Sequence, residues 1–128
     1  MRDIRRIVFS KDELLCAFQA FARKTPEFLP EGKLLSCTPT ISTEKGSEIV
    51  IKMETPQKEQ TELHYRDADV LQPLILFCLE NNVMLPRQGR KSFLVLEEDA
   101  TMIVDLNLEF DLCALEAPMR SEDIGKLP

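Results

Sequence analysis

The 128-residue chain has one histidine, four glycines and four cysteines, and each scarcity removes a class of chemistry. With His64 as the lone histidine and no Cys-x-x-Cys pair, the sequence argues against a zinc knuckle or ribbon. The four glycines form no dinucleotide or P-loop pattern, so no phosphate-cradling turn is expected. No window approaches 18 consecutive apolar residues, which argues against a membrane-spanning helix. The apolar stretch after Arg6 ends at Ser10 and is too short for a secretory signal. Cys16, Cys37, Cys78 and Cys113 stand 21, 41 and 35 residues apart, and a core of this size needs no disulfide staples. Reduced thiols in a cytoplasmic protein are the expectation. Cys16 and Cys78 fall within helical patterns, where small buried thiols are common.

What the chain does have is enough apolar material for one domain: 44% hydrophobic and 30% charged residues. Its net charge of −6 argues against a general nucleic-acid coat or an anionic-membrane binder. That charge is unevenly placed. Residues 1–96 carry a net +1 and residues 97–128 a net −7, so exclusion of anionic ligands applies to bulk binding and not to local basic clusters.

The most informative pattern is an internal one. Leu14, Leu15, Phe18, Phe21 and Ala22 make one stripe of an amphipathic helix, and adding 56 gives Val70, Leu71, Leu74, Phe77 and Cys78. Ile7 and Phe9 map to Leu63 and Tyr65, alternating as on one strand face, and Leu29-Pro30 maps to Leu85-Pro86. Extended segments follow in each half, at about 33–39 and 48–54, then 91–97 and 101–110. The expected fold is therefore α+β: a tandem β-α-β-β pseudo-repeat, about 4–56 and 60–112. It would form a mainly antiparallel sheet of about six strands with two helices packed on one face. Residues 1–112 would be a single domain and 113–128 an acidic carboxy-terminal tail.

Local signals set the boundaries. Ser10-Lys11-Asp12-Glu13 reads as a capping box, Arg23 and Lys24 suit a helix C-terminus, and Pro26 and Pro30 oppose continuation. Asp67 or Asp69 is the expected cap of the second helix, Pro73 is tolerated only near its first turn, and Asn81-Asn82 is its stop. Ser42–Ser47 and Glu97-Glu98-Asp99-Ala100 are the expected hairpin turns.

Two basic clusters are the candidate anion sites. Arg87, Arg90 and Lys91, hinged by Gly89, suit a phosphate or carboxylate, and Arg5 and Arg6 form a second group with Arg2. A solvated loop accounts for the first, and edge protection of a strand for the second. No aromatic residue interleaves with these cations, so nucleic acid is a weak expectation. Asp105, Asn107, Glu109 and Asp111 alternate along a strand, where donors roughly 6.5–7 Å apart do not share one ion, so no metal or other cofactor is expected. His64 is the one general base of the usual type and Cys37, near a strand end, the most suggestive nucleophile, and neither sits in a catalytic signature. The enzyme question leans towards no. On the second helix Leu76 and Leu79 lie off the shared stripe, as candidates for a homodimer interface or for cover by the tail.

The function expected from these residues is a small cytoplasmic, non-catalytic binding or regulatory module, adaptor-like, working through protein–protein contacts. The second reading is an anion-, nucleotide- or nucleic-acid-binding protein, or a small-molecule enzyme, using the Arg87/Arg90/Lys91 loop. A third is mimicry of nucleic acid by the acidic carboxyl third.

Overall fold

The computed structural model describes residues 1–107; the acidic tail and the expected continuation of the last strand to 110–112 lie outside the described residues. Its elements run β1 (Arg2–Phe9), α1 (Lys11–Lys24), β2 (Lys33–Ser42), β3 (Gly46–Glu54), β4 (Gln60–Tyr65), α2 (Ala68–Glu80), β5 (Arg90–Leu96) and β6 (Asp99–Asn107). A 3-10 turn at Pro26–Phe28 follows α1. The order β-α-β-β occurs twice, as the sequence spacing predicts.

The strands form two antiparallel sheets, β1-β6-β5 and β2-β3-β4, where the sequence suggested one sheet of about six. Each half lends its first strand to the other: β1 pairs with β6, and β4 with β3. The β2 strand is irregular: a bulge between Leu34 and Ser36 shifts its ladder with β3, and Pro39 has no amide hydrogen to give. On β5, the Val95 amide donates to the Ser47 hydroxyl at 2.9 Å instead of to a neighbouring strand. The sheets thus meet through a side chain rather than a ladder.

The alternation along each strand builds the core. Phe9, Phe93, Val95, Met102 and Val104 from one sheet and Cys37, Ile49, Ile51 and Met53 from the other are buried with Leu14, Phe18, Val70 and Leu74 of the helices. The pairing registers do not keep the 56-residue offset: Cys37 lies opposite Ile51, whereas Phe93, its counterpart, lies opposite Met102 and not Asn107. Phe18, Phe28 and Tyr65 cluster around the 3-10 turn, with the Tyr65 hydroxyl donating to the Phe28 carbonyl.

Helix ends follow their chemistry. The Ser10 hydroxyl accepts the Glu13 amide at 3.1 Å and the Glu13 carboxylate accepts the Ser10 amide at 2.8 Å, a complete capping box. Asp67 is the N-cap of α2 but gives no side-chain bond, and it holds a positive φ of 51°. Pro73 lies inside α2 and is buried, deeper than the first turn. Asn81 caps the C-terminus and Asn82 takes the left-handed conformation expected of it. Cys78 is buried as expected, whereas Cys16 is exposed. No described helix is long and apolar enough to cross a membrane.

Candidate binding surface

Both faces of the β1-β6-β5 sheet are legible from its register. The inner face is core. The outer face has three complete rows: Ile4–Asp105–Arg90, Arg6–Ile103–Ser92 and Val8–Thr101–Leu94, with Arg2 opposite Asn107 at one end. The surface is banded. At one end the Asp105 carboxylate accepts from Arg2 at 3.1 Å (Nε) and 2.6 Å (Nη2), with Arg90 opposite. The hydrogen bond from Arg2, and then the charges of Arg2 and Arg90, hold the Asp105 carboxyl below its ordinary value. At the other end Val8 and Leu94, 50% and 42% exposed, flank the fully buried Thr101. Ile4, 53% exposed, shares the row of Asp105 and Arg90, and Arg6 lies in the row between the two bands. Among the described residues, Arg6 has no hydrogen-bond or ion-pair partner.

Single exposed aliphatic residues are ordinary, but antiparallel sheets usually set polar side chains on their open face. Here two half-exposed aliphatics share one row and a third lies two rows away. Covering each removes about half a side chain from water, worth about 1 kcal/mol apiece.

The five cations named from the sequence divide. Arg6 and Arg90 share this outer face, two strands and one alternation apart, a separation of about 12 Å. Arg5 falls in the opposite alternation and donates to the Met84 carbonyl at 3.1 Å. Lys91 is also turned from Arg90, and its ammonium holds the Pro86 and Gly89 carbonyls at 3.0 and 3.1 Å. Arg87 is exposed in the loop before β5. The Arg87/Arg90/Lys91 segment is thus partly spent on fixing its own loop. Of the two leucines, Leu79 is 62% exposed and Leu76 only partly so.

A second polar cluster lies on the outer side of the β2-β3-β4 sheet. His64 Nδ1 is 2.8 Å from Glu48 Oε1 and its Nε2 is 3.1 Å from Glu62 Oε1. The hydrogen bond with Glu48, and then the negative charges of Glu48 and Glu62, raise the imidazole pKa against the opposing effect of burial. A cleft of about 410 Å³ beside it is lined by His64, Arg66, Asp67, Ala68 and Asp69. Cys37, weighed as a nucleophile near a strand end, is instead buried within β2, and desolvation pushes its thiol up to about 12. Among the described residues, no three His, Cys, Asp or Glu side chains are placed to hold a metal ion.

Glu48, Ile4, Val8 and Leu94 are the residues that sequence reasoning passed over. Ile4 and Val8 do carry a signal, since they alternate with Arg2 and Arg6 on the face opposite Ile7 and Phe9. Glu48 is marked only by being a charge at the head of the apolar run Ile49-Val50-Ile51.

No protein-family model matches the chain, and comparison with the curated proteins and with the solved structures returns no significant similarity.

Proposed function

We propose that this protein is a small non-catalytic binding module that engages another protein through the outer face of its β1-β6-β5 sheet. The observation that carries this reading is the aliphatic pair Val8 and Leu94, half-exposed on either side of the buried Thr101, with Arg6, which has no partner among the described residues, in the next row and Ile4 two rows away. Arginine is among the residues enriched in protein-binding surfaces, and here Arg6 stands one row from the exposed aliphatic pair. The state of the two catalytic candidates supports the same reading: both ring nitrogens of His64 are engaged by carboxylates, and the Cys37 thiol is buried and neutral. Free thiols at Cys16, Cys37 and Cys78 fit a reducing compartment, and we place the protein in the cytoplasm on that ground.

The test compares affinity capture by the wild-type chain with capture by Val8→Asp/Leu94→Asp. Both positions are exposed, so the variant should melt within a few degrees of wild type. A protein retained by the wild type and lost by the variant supports the reading. A retained protein indifferent to both substitutions, or thermal stabilisation only by phosphate-bearing ligands, contradicts it.

A further inference from the structure

Two sheets of three strands have four outer edges, and three of them carry devices that discourage a further strand. On β1 there are Arg2, Arg5 and Arg6; β2 has Lys33, Pro39 and a bulge; the Val95 amide of β5 is already given to Ser47. β4 is different. Its sequence, Gln-Thr-Glu-Leu-His-Tyr, has no lysine, arginine or proline, and among the described residues it pairs only with β3.

We infer that the free edge of β4 is a self-association surface, whose occupant is β4 of a second copy running antiparallel about a two-fold axis at Leu63. Self-complementarity distinguishes this edge from that of β1. A two-fold axis that keeps both helical layers on one side must pass through a residue, so opposite residues share a face. Centred on Glu62, the pairing sets Glu62 against its copy; centred on His64, it sets histidine against histidine. Centred on Leu63, it sets Glu62 opposite His64 twice on the outer face. On the inner face it sets Leu63 on Leu63 and Thr61 on Tyr65 twice, an aromatic–β-branched pair. The same exercise on β1 gives no such register. Axes at Ile4, Arg5 and Arg6 oppose Arg2 to Arg6, Arg5 to Arg5 and Arg6 to Arg6.

The local geometry suits this arrangement. Glu48 holds His64 by Nδ1, so the ring is fixed with Nε2 directed at a carboxylate, its own Glu62 at 3.1 Å, whose place the copy's Glu62 takes in the dimer. Joining two copies makes a continuous six-stranded sheet, β2-β3-β4 followed by the same strands in reverse. A two-fold dimer is the commonest closed assembly. The contact is short, six residues a side, so it belongs to the weak, concentration-dependent class.

The test is sedimentation equilibrium on the full chain, with Thr61→Lys and Glu62→Lys as variants. Thr61→Lys installs the guard that β4 lacks, and Glu62→Lys sets a cation opposite His64; both positions are exposed and neither should unfold the chain. The wild-type mass should rise from 14.7 kDa towards twice that value with concentration. Each variant should weaken the dimer about tenfold or more at unchanged melting temperature. The register is read separately: in a Cys16→Ser/Cys113→Ser background, Leu63→Cys should cross-link to its copy on oxidation and Thr61→Cys should not. A monomer up to millimolar concentration overturns the inference. So does a dimer that ignores both lysines, or cross-linking through position 61 in place of 63. Because Val8 and Leu94 are not in β4, Val8→Asp/Leu94→Asp should leave the dimer intact, and the two surfaces fail or stand separately.

Discussion

The Nδ1 atom of His64 lies 2.8 Å from Oε1 of Glu48, a carboxylate 5% exposed on the outer side of the central strand β3. A carboxylate removed from water needs a partner, and a protonated imidazole supplies both a donor and a charge. Because Glu62 accepts at Nε2, His64 is most stabilised with both nitrogens protonated.

Stability should therefore depend on pH through His64. Its folded pKa is raised above the unfolded value of about 6.5, so its contribution is fully present below that value and is lost as pH rises through the folded pKa. The melting-temperature difference between wild type and His64→Asn should be largest below about pH 6.5 and shrink above it. An imidazole titration followed by NMR should have its midpoint above about 6.5, moving down in Glu48→Gln. Asp105 acts in the opposite sense: its lowered pKa gives stability that is present above about 3.9 and lost as pH falls through the folded value.

Thiol reactivity should separate the cysteines by burial. Cys16 is exposed on α1 and should be the first of the three to react with a soluble alkylating reagent. Cys37 and Cys78 are buried with raised pKa values, so they should react only when the domain opens. Mass spectrometry of time-resolved labelling at neutral pH gives the order directly.

Two substitutions calibrate the fold. Ser10→Ala removes one half of the capping box and should cost about 1 kcal/mol in denaturant unfolding, with the slope unchanged. Phe18→Ala deletes a fully buried ring that touches Phe28 and Tyr65, and should cost about 3–5 kcal/mol.

These same residues mark what the sequence made legible. Ser10 and Glu13 are three apart, and Phe18 belongs to a stripe with helical period, so local spacing identified both. The two-sheet division was not legible, because β1 finds β6 at the far end of the described chain, Arg2 opposite Asn107, while β4 turns back on its sequence neighbour β3, Glu54 opposite Gln60, across the boundary between the two halves. Glu48 and His64 are 16 residues apart and meet only because Val50, not Glu48, pairs with His64, which puts the carboxylate on the diagonal. The division of the cations has a similar origin. Arg90 and Lys91 are adjacent in sequence, and adjacency on a strand sends them to opposite faces.

Exposed surface substitutions test the binding face without touching the core. Arg6→Glu should leave stability within about 0.5 kcal/mol of wild type while weakening capture of the partner, since Arg6 has no described interaction to lose. Salt titration of the captured complex should show the arginine contribution as a loss of affinity with ionic strength.

The most direct measurement is photo-cross-linking with a benzophenone amino acid placed at position 8, on the sheet face, or at position 16, on the exposed side of α1. The account predicts a protein adduct from position 8 that is absent from position 16 and disappears when Leu94→Asp is added. Equal labelling from both positions, or an adduct at position 8 unaffected by Leu94→Asp, would contradict it.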